Sequence, residues 1–186
     1  MRPFYIMIKV LGLDISSATI GWAMLDMAEG EVSLSEYGHI SPPKSKDGSL
    51  TFRASKAFDE VSELILQKSP EIVVVESYAN KFPAGRSTAR TIIVLSVFNE
   101  VVSMAALRSL SKDPVRYSVS TIRSKLSKLA GRKISSKEEC FEFICNYFPG
   151  FTVRRNRNDN ISKECFDEVD AIAAATTYYV KEILGD

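Results

Sequence analysis

Histidine is nearly missing from this chain: His39 is the only one in 186 residues. That argues against an imidazole-built zinc centre and against a His-dependent nucleophilic triad. Cysteine is scarce as well. Cys140, Cys145 and Cys165 are an odd number and include no Cys-x-x-Cys spacing. They read as reduced thiols of a cytoplasmic protein, not as a disulfide scaffold. There is no large excess of one charge either, with 24 Lys and Arg against 23 Asp and Glu, so nothing global marks a nucleic-acid binder. The opening "MRPFYIMIKVLGLD" is an apolar run interrupted by Lys9 and closed by Asp14. It is too short to span a bilayer and has no signal-peptide cleavage pattern, so no membrane association is expected. Repeats and an interdomain linker are also lacking, which predicts one domain over residues 1–186.

What is present has a definite order. "YIMIKVLGLDIS", "TIGWAMLDM" and "EVSLSEYGHIS" predict three strands in an antiparallel meander. Helical spacing of Phe58, Val61, Leu64 and Ile65 predicts a helix over about residues 51–68. "EIVVVES" is a continuous apolar run typical of a central parallel strand. After the loop "YANKFPAGRST" comes a long helix over about residues 89–110, a short strand "PVRYSV", and helices over about 120–130 and 136–147. The polar loop "VRRNRNDNIS" leads to Ser162, a candidate cap for a last helix. The expected fold class is therefore α/β: a mixed five-stranded sheet, three antiparallel strands then parallel ones, flanked by helices.

Acidic residues end the two most apolar strands: Asp14 closes "KVLGLD" and Glu76 closes "IVVVE". A carboxylate there costs several kcal/mol if buried alone, and strand ends are where α/β sheets bind ligands. "FDEVDAIAAATTYYV" adds Asp167 and Asp170, which share a helix face at i and i+3. Taken singly, Asp14 reads equally well as a turn residue, Glu76 as an edge charge and Asp167 as a first-turn helix charge. Taken together, four clustered carboxylates repel one another unless a divalent cation sits among them. Oxygen-only ligation favours magnesium, or manganese, over zinc. Two such ions about 4 Å apart activate a water and stabilise a leaving oxygen in phosphodiester hydrolysis.

"LGLDISSATIGWAML", "IVVVESY" and "DEVDAIAAATTYY", in this order, resemble the RuvC family of Holliday junction resolvases, within the RNase H-like nucleases. The resemblance implies an RNase H-like fold and a Mg-dependent endonuclease acting on four-way DNA junctions. It implies Asp14, Glu76, Asp167 and Asp170 as catalytic residues holding two metal ions. It also implies Lys137 near the scissile phosphate, with Lys133 a neighbouring candidate. Where the family carries a junction-inserting aromatic three residues after its glutamate, this chain has Ala79. Tyr78 or Phe82 is the substitute, or the wedge is missing. A junction-binding motor complex is not assumed as a partner. The divergence fits a viral member, which would place the protein in a host cytoplasm or nucleoid.

Charge is unevenly placed. Nine Lys and Arg lie between Arg108 and Lys137, against Asp113 alone, and Arg154, Arg155 and Arg157 form a second cluster. Such segregation is the footprint of phosphate contacts. The expected DNA contacts are Tyr78, Lys81, Phe82, Arg86, Arg90, Arg123, Arg132, Lys133, Arg154 and Arg155. The helix "ARTIIVLSVFNEVVSMAALRSL" carries two apolar stripes, Ile92-Leu95-Val102-Ala106 and Ile93-Val97-Val101-Met104. It is either a central buried helix or one that packs on the sheet and on a second copy, giving a homodimer with two active sites. A junction resolvase is the leading reading. A flap or broader branched-DNA nuclease, an RNA-processing nuclease of the YqgF type, and a non-catalytic binding module remain open beside it.

Overall fold

The computed structural model describes residues 7–77 and 89–185. The expected DNA contacts Tyr78, Lys81, Phe82 and Arg86 lie outside them. Strands β1 (Ile8–Ile15), β2 (Ile20–Ala28) and β3 (Glu31–Ile40) form the antiparallel meander. Gly30 turns the β2–β3 hairpin at φ +81°, where a residue with a Cβ would be strained. Helix α1 (Leu50–Lys68) leads to β4 (Ile72–Glu76), which pairs parallel to β1. Helix α2 (Ala89–Leu110) crosses to β5 (Val115–Tyr117), parallel to β4. Helices α3 (Val119–Ala130), α4 (Lys137–Tyr147) and α5 (Lys163–Tyr178) follow, α5 running on into a π-turn over Tyr179–Ile183. The sheet order is β3-β2-β1-β4-β5.

The central strands are buried on both faces because each face has its own core. Leu11, Leu13 and Ile15 of β1, with Val73 and Val75 of β4, pack toward α1 and α2. Val10 and Val74 face α5 with Ala171, Ala174 and Ala175. Side chains alternate along a strand, so Val10, Gly12 and Asp14 share the α5 face, and so do Val74 and Glu76. The period of the strands alone thus directs both strand-end carboxylates toward α5.

Two glycines let that helix come close. A Cβ on Gly12 would meet the Ala171 carbonyl oxygen at 2.1 Å, and one on Gly21 would meet the Asp167 carbonyl oxygen at 2.2 Å. Bare backbone at both positions lets α5 lie directly on β1 and β2.

Three sequence expectations need correction. Ser162 stands at the α5 N-cap, yet its side chain caps no backbone amide; its hydroxyl donates to Cys165 Sγ at 3.3 Å instead. Asp167 is not in the first turn, because α5 starts at Lys163. The stripes on α2 are also rearranged: Phe98, Val102, Ala105 and Ala106 form its core side, Val97 and Val101 are half-buried against that core, and Ile92 and Leu95 are only partly covered. Ile93, Met104 and Leu107 stay exposed, at 58%, 45% and 42%. Among the described residues α2 is the one helix long and apolar enough to cross a membrane. About a third of that apolar stretch is buried within the protein, against α1 and the sheet.

Candidate active site

Asp14 and Glu76 each directly follow the paired residues Leu13 and Val75 of neighbouring parallel strands. They therefore end side by side, on the α5 face. Asp14 also pairs across to Gly21, and Gly21 lies against the Asp167–Glu168 peptide of α5. One turn further along α5, Asp170 completes the set. The β1–β2 turn after Asp14 is closed by Ser16, whose hydroxyl donates to the Thr19 carbonyl at 2.8 Å and accepts from the Ala18 and Thr19 amides.

Each of the four carboxylates is pushed toward its protonated form. Burial is the first cause for Asp14, followed by repulsion from Asp170, Glu76 and Asp167. Burial and then Asp170 raise Glu76 to about 7, against the pull of Lys137 and Arg123. Asp170 and Asp167 are raised mainly by burial, and Lys137 draws both back down. Lys137 opens α4, where Ser136 and Glu139 form a reciprocal capping box worth about 1 kcal/mol. From there Nζ reaches Asp170 Oδ2 at 2.6 Å and lies over the Phe166 ring. Burial lowers its proton affinity, but the hydrogen bond and the charges of Asp170, Asp14 and Asp167 outweigh it, so the net shift is upward. Among the described residues no three His, Cys, Asp or Glu side chains stand close enough together to hold a cation as they are placed. The donor set nonetheless suits a hard divalent cation: oxygen ligands only, mutually repelling, with a lysine already drawn in as counter-charge.

A cavity of about 180 Å³ opens beside these groups, with Glu76, Arg123, Lys137 and Asp170 at its polar side and Val119, Ile122 and Ala173 at its apolar side. Arg123 is oriented by donating to the Ser135 carbonyl at 2.9 Å. Beyond the β1–β2 turn runs a wider groove of about 890 Å³, bordered by Thr19, Lys44, Arg53 and Arg90. Arg53 is a buried cation that sequence patterning missed. It donates to the carbonyls of Pro43 and Ser17, both at 2.6 Å, and so braces the turn behind Asp14.

The remaining expected contacts divide. Arg132 and Lys133 are exposed ahead of α4. Arg155 is exposed but turned onto the Asp159 carbonyl and carboxylate. Arg154 points at Glu168, so its charge is already matched and adds less to phosphate attraction than a count of basic residues assumes. Glu168 itself, fully buried between the two aspartates of α5, was not singled out from the sequence.

A testable consequence follows from the raised carboxylates. The folded protein binds protons here more tightly than the unfolded chain does, so stability falls as pH rises. The window runs from the ordinary carboxylate range up to about 7, the value for Glu76. For Glu76 alone the loss is on the order of 3 kcal/mol. Cation-free protein is therefore expected to melt at a lower temperature at pH 8 than at pH 5.5. Magnesium should restore the melting temperature at pH 8, each tenfold excess over Kd adding about 1.4 kcal/mol. Calorimetry at both pH values, with and without the ion, checks this.

A mixed sheet ordered β3-β2-β1-β4-β5 and flanked by helices is the RNase H-like class of fold. Among known proteins the chain is similar to RuvC endonucleases. A Fusobacterium nucleatum crossover junction endodeoxyribonuclease RuvC is 26% identical over 106 residues, 55% of each chain. The Dehalococcoides mccartyi RuvC is 25% identical over 136 residues, 73% of this chain and 76% of the relative. The first match thus spans about half the relative's length, the second about three quarters. A structure of Thermus thermophilus RuvC in complex with Holliday junction substrate superposes with a TM-score of 0.72 at 18% identity, covering 96% of both chains. No family model matches the chain. The chain is RuvC-like in sequence and in fold.

Proposed function

We propose that this chain is a structure-specific DNA endonuclease that resolves four-way junctions by hydrolysing phosphodiesters. The observation that carries the reading is the meeting of Asp14, Glu76, Asp167 and Asp170 with Lys137 on one face, in a RuvC-like chain. Asp14, Glu76, Asp167 and Asp170 would hold magnesium, with manganese able to replace it. Such ions, two per site, would supply an activated water and would stabilise the leaving oxygen when bound. The chain's own groups do the rest. Lys137 offsets the charge of Asp170 and stands ready for a phosphate oxygen. Arg123 adds a second positive charge at the cavity. Partial burial of Asp14, Glu76 and Asp170 strengthens these interactions. The DNA backbone would run from Arg132 and Lys133 past Lys137 and on toward Arg90 and Lys44 in the wider groove.

The exposed Ile93, Met104 and Leu107 of α2 would pair with the same residues of a second copy. A two-fold dimer would present two sites for paired cuts. Because Val97 and Val101 are half-buried in the core, the discriminating variants are Met104→Arg and Leu107→Arg. Either should convert the dimer to a folded monomer, an unpaired charge having entered an apolar contact. Sedimentation of the wild type as a monomer at micromolar concentration would remove the dimer.

Substrate choice tests the reading directly. A synthetic mobile junction should be cut with magnesium far faster than a flap or a linear duplex. Equal cutting of junction and flap would favour a broader branched-DNA nuclease, a reading that Ala79 at the wedge position also supports. Absence of cutting on all three, with cation bound, would sink the nuclease reading. Junction affinity should fall steeply with salt, by a slope of roughly −0.9 per phosphate contact. Replacing Arg132 and Lys133 together by alanine should shallow that slope by about two at most. An unchanged slope would place the DNA elsewhere.

A further inference from the structure

Glu168 is a carboxylate with no exposed surface and with two partners. Arg154 Nη2 lies 2.6 Å from each of its oxygens, and His39 Nδ1 lies 3.0 Å from Oε1. A buried ion pair of this kind seldom adds net stability over an apolar side chain of similar size. Its position is more telling than its energy. Glu168 directly follows Asp167 and precedes Asp170 by two, so any rotation of α5 that moves Glu168 moves both. His39 belongs to a row that crosses three strands: Asp14 pairs with Gly21, and Gly21 pairs with His39. One end of that row is therefore a site carboxylate and the other end grips the helix that carries two more. In the middle of the row, Gly21 touches the Asp167–Glu168 peptide.

The remaining attachments strengthen the grip. Arg154 is tied to the start of α5 by its own backbone: its amide donates to Cys165 Sγ at 3.2 Å, and its carbonyl accepts from the Ser162 amide at 2.9 Å. His39 reaches the α5 face because the β2–β3 pairing shifts register between Met24 and Leu25. Val32 and Leu34 before the shift and Tyr37 after it all pack on the α5 side.

We propose that Glu168, clamped by Arg154 and His39, is a positioning residue that fixes the rotation of α5 so that Asp167 and Asp170 face Asp14 and Glu76. Gly21 sets how near the helix lies, and the clamp sets which way it is turned. The proposal rests on the reading of those four carboxylates as the cation site, and assigns this chain a supporting group outside that set. Loss of an outer-shell partner typically costs 10–100-fold in metal affinity or activity. Glu168→Gln, which keeps the shape and removes the charge, should weaken Mn²⁺ binding by about that factor in a calorimetric titration. It should slow single-turnover junction cleavage similarly. His39→Ala, at a partly exposed site on the edge strand, should fold and shift Mn²⁺ affinity in the same direction by less. Arg154→Lys should retain more affinity than Arg154→Ala. A folded Glu168→Gln protein with wild-type Mn²⁺ affinity overturns the proposal. So does an unfolded one beside a folded His39→Ala protein of wild-type affinity. Should the wild type cleave no branched DNA, the nuclease reading fails, and the Mn²⁺ titration still decides the clamp.

Discussion

Asp14→Asn should abolish junction cleavage while leaving junction binding intact or tighter, and it should raise the melting temperature of the cation-free protein. The two effects share one cause. Asp14 is held above its ordinary proton affinity by burial and by three acidic neighbours, so its ionised form destabilises the fold near neutral pH. An amide of the same shape removes the repulsion and also removes a cation ligand. The loss of rate should exceed the roughly 10–100-fold that outer-shell changes cost, because a direct ligand is gone. Asp170→Asn should behave alike in cleavage, with a smaller gain in stability, since it also frees Lys137 from its 2.6 Å partner. Single-turnover kinetics, gel-shift titration and thermal unfolding on the same preparations separate the three quantities. Undiminished cutting by Asp14→Asn would remove the metal-hydrolysis reading. Lost cutting with lost folding would show that Asp14 is structural.

Gly21→Ala should be nearly as damaging, although it changes no charge and adds one methyl group. That methyl would meet the Asp167 carbonyl at 2.2 Å and the Glu168 amide nitrogen at 2.8 Å, both backbone atoms of α5. Neither can turn aside as a side-chain tip would, so the helix itself must lift. Overpacking of a tight contact costs about 1–3 kcal/mol. The functional loss should be larger than the stability loss, because Asp167 and Asp170 leave with the helix. Gly150→Ala is the control, since nothing lies within 4 Å of a Cβ there. Equal activity of both variants would show that α5 can approach the sheet in another way.

Much of this site could be read from sequence because its parts obey local periodicities. Strand alternation sends Asp14 and Glu76 to one face, and helical spacing sets Asp167 beside Asp170. The apolar run Ile72–Val75 marked β4 as central, and the meander of β1 to β3 followed from short turns. What escaped has no local signature. Glu168 meets His39 across 129 residues and Arg154 across 14, so its burial reads from sequence only as another helix acid. Arg53 likewise binds carbonyls in two loops that only the folded chain brings together. The register shift in β3 overrode strict alternation and turned His39 inward. On α2 the sequence offered two equally apolar stripes, and the choice between them depended on where α1 lay. Ser162 met a thiol within one turn that competes for its hydroxyl, which cap patterns do not anticipate.

The convergence of four carboxylates into a cation site is the claim on which the rest depends, and manganese can be located by its anomalous scattering in a crystal soaked near pH 8. The expected result is density ligated by Asp14, Glu76, Asp167 and Asp170, at the roughly 2.0–2.2 Å typical of small hard cations on oxygen, with the Lys137 ammonium moved off Asp170. Manganese bound elsewhere, with those four side chains unliganded and Lys137 still on Asp170 at millimolar ion, would contradict it.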